Sequence, residues 1–281
     1  MKKFTKIAVL LAVFSLLVSG AVMAWDWPWN KKQENRVSTQ GSTTVLPIVQ
    51  KAAENFMKAN PDIEVSVRGG GSGVGIAAIM DSTVDIGMSS RRIKNSEILN
   101  ARKKGVSVFE TSIAKDGMAI VVHPANPINS ISIDQVQKIF TGEIKNWSSL
   151  GGSDDTIVAM SRDTSSGTYE VFNELVLRGT KLRTDAIMSV SNREVAENVK
   201  NTKGAIGYVG LAFLSDDLKV LTVEGIRPND DTVGSGAYKL ARDLYLYTNG
   251  EPSGLAKRFV DFILSSEGQK FVKEVGYTPI K

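Results

Sequence analysis

Apolar strands and amphipathic helices alternate along this chain from Arg36 onward. Residues 45–59 place apolar side chains on one helical face, whereas residues 63–67 alternate between apolar and polar as in a strand. The unbroken apolar run at residues 118–122 is typical of a strand buried on both faces. This rhythm predicts a mainly parallel sheet covered by helices, and the length of 281 residues favours two compact units.

The N-terminal 24 residues have the layout of a secretory signal peptide: a basic start, an apolar run, and small residues before a cut after Ala24. The alternative is an uncleaved anchor, because residues 7–24 approach membrane-spanning length. Cleavage would remove three of the 34 basic residues and leave 31 basic against 30 acidic ones. The apparent basicity is therefore partly a targeting feature, and nothing indicates a nucleic-acid-binding surface.

Residues 25–36 are predicted to be a flexible leader before the fold. Their tryptophans, Trp25, Trp27 and Trp29, leave open a contact with a membrane interface. The chain has no cysteine, so an exported form would carry neither disulfides nor a lipidated cysteine. We therefore expect a periplasmic protein that is free of the membrane.

Three clusters of Gly, Ser and Thr stand between a strand and a helix, at residues 41–44, 71–73 and 165–168. The first N–H groups of a helix lack internal partners and lie at the positive end of its dipole, which makes them an anion site. In a parallel sheet such turns gather at the carboxyl ends of the strands. Arg91 and Arg162 stand beside the clusters, and a guanidinium fork matches an oxyanion. One cluster alone would be an ordinary helix cap, but the set predicts capture of a small tetrahedral anion.

Catalytic motifs are missing from the sequence. There is one histidine, His123, and no cysteine, so a zinc site would need mostly carboxylates. Neither a G-x-S-x-G elbow nor a nucleotide P-loop is present. We predict a protein that is not an enzyme and needs no cofactor; a hydrolase with Ser72 or Ser166 as nucleophile stays open as an alternative.

Six ordered motifs extend over nearly the whole chain from about residue 36 to 281. They are Gly41-Ser42-Thr43-Thr44-Val45-Leu46-Pro47, Gly70-Gly71-Ser72-Gly73, Asp85-Ile86-Gly87-Met88-Ser89-Ser90-Arg91, Phe140-Thr141-Gly142-Glu143-Ile144-x-x-Trp147, Ser161-Arg162-x-x-x-Ser166-Gly167-Thr168 and Gly204-x-Ile206-Gly207-Tyr208. As a set they resemble the PstS-like phosphate-binding receptors of bacterial and archaeal phosphate ABC transporters, which are type II periplasmic solute-binding proteins.

The resemblance implies an α/β fold of two lobes, each a mixed, mainly parallel sheet flanked by helices. Lobe 1 would comprise residues 37–115 and 241–281, and lobe 2 residues 116–240. Two crossing strands, near residues 114–117 and 240–244, would join them. The ion would lie between the lobes of a monomer that docks on the permease and ATPase subunits of a phosphate ABC transporter.

The resemblance also implies the anion contacts. Carried over by position, they are Thr43, Thr44, Ser72, Ser90, Arg162, Ser166, Gly167 and Thr168, with Ser42 and Arg91 added as neighbours.

The chain departs from the family pattern at two positions. Many of these receptors have aspartates where this chain has Ser90 and Thr164. Such a carboxylate accepts the proton of hydrogen phosphate and repels sulfate. Asp163 is a candidate substitute, but sulfate, molybdate and tungstate stay open as ligands, as does a phosphate-sensing or adhesion protein on the same fold.

Overall fold

A computed structural model describes residues 35–280 of the chain. The predicted signal peptide and nearly all of the predicted leader lie outside the described residues. The first strand begins at Arg36, the last residue of the predicted leader, so the leader ends one residue earlier than predicted. In the described part, no helix has the length and apolar character needed to cross a membrane.

Strands and helices alternate as the sequence predicts. The strands are β1 (Arg36–Gly41), β2 (Glu64–Arg68), β3 (Ile86–Ser89), β4 (Val108–Val122), β5 (Ser130–Ile131), β6 (Val158–Arg162), β7 (Ile187–Ser189), β8 (Ala205–Gly210), β9 (Lys219–Val220), β10 (Thr222–Val223) and β11 (Ala241–Asn249). The helices are α1 (Leu46–Ala59), α2 (Ser72–Met80), α3 (Asn95–Lys103), α4 (Ile133–Thr141), α5 (Gly167–Phe172), α6 (Asn192–Asn201), α7 (Asp230–Gly234), α8 (Gly254–Leu264) and α9 (Ser266–Glu274). Helix α5 continues as a π-helical turn over Asn173–Leu177.

The main sheet of the described chain is mixed, with the strand order β2-β1-β3-β11-β4-β8-β6-β7 and with β9 paired to β4. Strand β1 runs parallel to β2 and β3, and β6 runs parallel to β7 and β8. Strands β4 and β11 run antiparallel to their neighbours at the centre. The parallel groups thus lie on either side of an antiparallel pair, and the turns after β1, β3 and β6 are free to carry a site.

Strand β4 changes partner half-way along its 15 residues. Up to Gly117 it pairs with β11, and from Met118 it pairs with β8. This change of partner, at Gly117 and Met118 of β4 and beside Ala241 of β11, falls in the ranges where the two crossings are predicted, and the crossings themselves stay a prediction. The residue limits of each lobe stay a prediction.

Buried side chains form distinct clusters on the two sides of this change. Phe140, Phe172 and Tyr208 are buried together on the side of β8, and the Phe172 and Tyr208 rings stack at 4.0 Å. On the side of β1, Phe56 packs edge-on against Phe259 at 5.3 Å. Aromatic side chains contribute large buried areas, so each cluster fixes the strand ends on its own side.

Candidate anion-binding site

The three predicted Gly/Ser/Thr clusters meet in the fold. Ser72, the first residue of α2, accepts a hydrogen bond from the Ser90 backbone N–H at 3.0 Å, and the two hydroxyls lie 3.3 Å apart. Thr44, between β1 and α1, lies 3.0 Å from Thr168 of α5 through their hydroxyl oxygens. The structure therefore brings residues from both sides of the sheet to one buried place.

Within this cluster Ser166 caps α5, and Ser42 stabilises the turn that precedes α1. The Ser42 hydroxyl accepts from the N–H groups of Thr44 at 3.2 Å and Val45 at 3.3 Å. The Ser166 hydroxyl accepts from the N–H groups of Thr168 and Tyr169 in the same way, at 3.2 and 3.3 Å. With both lone pairs used, each serine has only its hydroxyl hydrogen left to donate.

The close meeting of the clusters depends on glycine at position 167. A Cβ atom there would lie 2.2 Å from the Ser72 hydroxyl and 2.9 Å from the Ser90 hydroxyl. Either separation is too short for a side chain, so the start of α5 reaches the two serines only because residue 167 is glycine.

Arg162 ends β6 inside this cluster, and its side chain is only 1% exposed. Its Nε atom donates to the Ser189 carbonyl at 3.1 Å, and Nη2 donates to the Val190 carbonyl at 3.0 Å. Its Nη1 atom has no partner among residues 35–280. Burial lowers the pKa of Arg162, and the charge of Arg242 lowers it further. Interactions with Asp163 and Tyr208 offset part of this decrease.

Arg242 is a second buried arginine that sequence reasoning missed. It lies on β11 directly opposite Asp116 of β4, and its Nε and Nη2 atoms donate to the same Asp116 oxygen at 3.1 and 2.8 Å. Nη2 also donates to Thr168 at 3.0 Å and to Thr44 at 3.4 Å. Nη1 has no partner within the described chain. We call Arg162 and Arg242 the interior pair.

Asp116 compensates part of the charge of the interior pair. It is wholly buried, and its second oxygen accepts from the Leu211 N–H at 2.9 Å. Burial raises the pKa of Asp116, and Arg242 and the Leu211 N–H oppose the increase without cancelling it. Because this carboxylate is engaged by Arg242, it does not neutralise Arg162 as well.

Asn192, the first residue of α6, is also buried in the cluster and was not predicted. Its Nδ2 atom donates to the Thr44 hydroxyl at 2.9 Å and to the Thr43 hydroxyl at 3.4 Å. Its Oδ1 atom is buried and has no partner in the described part of the chain. The only sequence signal was its place after the helix cap Ser191, which is equally typical of a plain helix start.

Arg91, predicted to contact the anion, is engaged elsewhere. Its Nη1 and Nη2 atoms donate to the two Glu97 oxygens at 2.8 and 2.7 Å, and Nε lies 2.8 Å from a Glu170 oxygen. Lys94 forms an ion pair with the other Glu170 oxygen. We call Arg91, Lys94, Glu97 and Glu170 the rim cluster, and we leave Arg91 out of the candidate site because its guanidinium already faces two carboxylates.

The two positions that the family fills with aspartate differ in the fold. Ser90 is buried beside Ser72, whereas Thr164 is exposed and lines a groove with residues of the rim cluster. Asp163, the candidate substitute, accepts from the N–H and the hydroxyl of Ser165 and lies 3.5 Å from Arg162 Nη2. Its carboxylate is therefore held mainly by the turn before α5.

The chain resembles known proteins over most of its length. The family model for the PBP superfamily domain matches residues 30–267. The phosphate-binding protein PstS of Bacillus subtilis is 36% identical over 255 residues, covering 89% of this chain and 82% of that protein. PstS of Borreliella burgdorferi is 34% identical over 264 residues, covering 90% and 92%.

Solved structures agree with these relatives. A crystal structure from Clostridium perfringens, described as a phosphate ABC transporter substrate-binding protein with bound phosphate, has a TM-score of 0.82 and 34% identity, covering 88% of this chain and 100% of that one. An ABC-type phosphate transport receptor from Vibrio cholerae has a TM-score of 0.72 and 29% identity, covering 86% and 99%. The two-lobed fold of these receptors is thus the fold of this chain.

Proposed function

We propose that this chain, which belongs to the PBP superfamily and to its PstS-like phosphate-binding proteins, captures inorganic phosphate in the buried site and delivers it to an ABC-type uptake permease. No reaction is performed on the ion. The ligand contacts in this proposal are Ser42, Thr43, Thr44, Ser72, Ser90, Arg162, Ser166, Gly167 and Thr168, together with Arg242.

The observation that carries the proposal is the unpaired Nη1 atom on each arginine of the interior pair, which remains beside the ion pairs with Asp163 and Asp116. Arg162 and Arg242 are both buried, lie near enough for one to lower the pKa of the other, and each has an Nη1 atom with no partner among the described residues. A buried donor without an acceptor is costly. An oxyanion supplies acceptors to both guanidinium groups, and such charge-assisted hydrogen bonds are the strong ones.

Capture would be coupled to closure of the two lobes. The contacts come from the turns after β1, β2 and β3 on one side, and from the end of β6 and the turn after it on the other. An ion that touches both sides binds the closed form better than the open one, so it shifts the population toward closure. The closed monomer would then dock on the permease, which works with an ATPase subunit, after export by the predicted signal peptide.

Hydrolysis by Ser72 or Ser166 is the alternative that we disfavour. The Ser72 hydroxyl is paired with Ser90, the Ser166 hydroxyl caps α5, and the Nδ1 atom of His123 accepts from the Ala125 N–H. A phosphatase assay with a His123→Ala control should give no turnover. Turnover that disappears in the control would refute the binding-only function.

The decisive test is calorimetric titration of the purified protein, freed of bound anion, with phosphate, sulfate, molybdate and tungstate. We expect phosphate to bind most tightly, with one ion per chain. Sulfate, molybdate or tungstate binding as tightly as phosphate would overturn the assignment of the ligand, and failure of all four to bind would overturn the anion site.

A further inference from the structure

We propose that the side-chain oxygen of Asn192 accepts the proton of bound hydrogen phosphate and thereby selects phosphate over sulfate. This inference rests on the proposed function. It gives to an uncharged amide the role that the family's missing aspartates would otherwise have.

The first support is the state of the Asn192 amide. Nδ2 uses both of its hydrogens, on Thr44 at 2.9 Å and Thr43 at 3.4 Å, while Oδ1 is buried without a partner among residues 35–280. The opposite orientation of the amide would leave two N–H hydrogens unpaired instead of one oxygen, so it satisfies fewer groups. The unpaired atom at this point of the site is therefore an acceptor.

The second support is the direction of the neighbouring hydroxyl hydrogens. The Thr44 oxygen receives hydrogen bonds from Asn192 Nδ2 at 2.9 Å and from Arg242 Nη2 at 3.4 Å, and neither group can accept in return. With donors on both sides, Thr44 is best placed to donate its own hydrogen to Thr168, which lies 3.0 Å away. The Thr168 oxygen also accepts a hydrogen bond from Arg242 Nη2 at 3.0 Å, so the hydroxyl hydrogen of Thr168 is left for the ion.

The site therefore offers several donors, and Asn192 Oδ1 is its one buried side-chain acceptor that has no partner at all among residues 35–280. The donors are the Nη1 atoms of Arg162 and Arg242 and the Thr168 hydroxyl, and the acceptor is Asn192 Oδ1. Hydrogen phosphate carries one O–H and matches this pattern. Sulfate carries none, so one of its oxygens would face the Asn192 oxygen with no hydrogen between them.

Carboxylates near the site are already committed. Asp116 is held by Arg242 and the Leu211 N–H, and Asp163 is held by Ser165. Glu170 belongs to the rim cluster, paired with Arg91 and Lys94. Among these groups, Asn192 Oδ1 is the acceptor that has no partner in the described chain and can take the proton of hydrogen phosphate.

The test measures phosphate and sulfate affinities by calorimetry for the wild type and for the Asn192→Leu and Asn192→Asp variants. Asn192→Leu removes the acceptor, and we expect the ratio of phosphate to sulfate affinity to fall about tenfold to a hundredfold, the usual effect of an unmatched buried polar group. Asn192→Asp should keep phosphate binding within about tenfold of the wild type and weaken sulfate more strongly, since a carboxylate repels an unprotonated anion.

The matched control is Asn198→Leu, on the same helix. Asn198 donates to the Ser189 hydroxyl at 3.3 Å and does not touch Thr44, so its variant should keep the wild-type ratio. Equal weakening of both anions by Asn192→Leu would show that Asn192 only positions Thr44. Equal weakening of both by Asn192→Asp would show that its amide donates to the ion. In either case phosphate binding by the wild type would leave the proposed function intact, whereas a wild type that binds no phosphate would overturn both.

Discussion

The interior pair and the rim cluster both place arginine where the two sides of the fold meet, but the surroundings of the guanidinium groups differ. In the rim cluster, Arg91 faces Glu97 through two hydrogen bonds of 2.8 and 2.7 Å and faces Glu170 at 2.8 Å. In the interior pair, Arg162 hydrogen-bonds to backbone carbonyls and keeps Nη1 unpaired within the described chain. The first arginine is held by two carboxylates, whereas the second keeps one donor nitrogen without a partner in the described chain.

The pKa values of Arg91 and Arg162 are shifted in opposite directions. Burial alone would lower the pKa of Arg91, but the hydrogen bonds and charges of Glu97 and Glu170 outweigh it and raise the pKa. Burial lowers the pKa of Arg162, and its neighbours do not restore it. A buried cation whose surroundings disfavour its charge is a better candidate for an anion contact than one held by carboxylates.

The largest effect on binding is expected from Arg162→Ala, which removes one of the two buried positive charges. We expect phosphate affinity to fall about thirtyfold to several thousandfold, because truncating one partner of a buried charge pair costs about 2 to 5 kcal/mol. The anion-free variant should also be less stable than the wild type by about 1 to 3 kcal/mol, because the Ser189 and Val190 carbonyls lose their donor, so its affinity is measured at a temperature where it is folded. Calorimetry and thermal unfolding in phosphate-free buffer measure the two quantities.

Arg193→Ala is the matched control for this variant. Arg193 is exposed on α6, next to Asn192, and its loss should change phosphate affinity by less than about twofold. An Arg162→Ala protein that binds phosphate as tightly as this control would place the ion elsewhere.

The second interior arginine can be tested separately for binding and for stability. Arg242→Met should weaken phosphate binding about tenfold to a hundredfold, as expected for a lost charged hydrogen bond. It should also lower the free energy of unfolding by about 3 to 5 kcal/mol, because Asp116 is left buried without its partner.

The double variant Asp116→Asn/Arg242→Met separates these effects. It should regain most of the lost stability in urea unfolding, since no buried charge is left unpaired, but it should not regain phosphate affinity. Recovery of affinity in the double variant would mean that Arg242 serves only to balance Asp116.

Sequence reasoning reached the parts of this site that have local signals. The alternation of elements predicts the fold, and Gly, Ser and Thr at strand ends predict the turns, because backbone geometry restricts which residues begin a helix there. Arg162 was found because it stands within such a motif. These features depend on residues that are close together in the chain.

Arg242, Asp116 and Asn192 were missed because their role arises only from long-range contacts. Asp116 and Arg242 are 126 positions apart and meet because β4 and β11 pair in one register. Asn192 contacts Thr44 across 148 positions. Arg91 shows the opposite consequence of folded contacts that the sequence does not display. Its place beside Ser90 predicts an anion contact, but in the fold its guanidinium is paired with Glu97 and Glu170.

The rim cluster should have a smaller effect on binding. Glu170→Gln removes the ion pairs with Arg91 and Lys94, which link the turn after β3 to α5. We expect phosphate affinity to fall about threefold to fivefold, which is the upper end of the range for a partly exposed ion pair. The loss should come from faster dissociation of phosphate, and it should be smaller at high salt, because salt screens the ion pairs. Glu174→Gln, on the exposed face one turn later, is the control and should bind like the wild type. A loss as large as that of Arg162→Ala would abolish the distinction between rim and interior.

The smallest effect concerns Glu97, which should contribute to stability more than to binding. Burial by itself would raise the pKa of Glu97, but hydrogen bonds from Arg91 and the Lys94 N–H, with their charges, lower it below the ordinary value of 4.5. A lowered carboxyl pKa stabilises the fold fully above pH 4.5, and this contribution is lost as the pH falls through the lower folded value. Glu97→Gln should therefore be less stable than the wild type at pH 7, and the difference in unfolding free energy should shrink as the pH is lowered from 5 to 3. A difference that stays constant over this range would mean that the carboxylate charge of Glu97 is not what holds Arg91 at the rim.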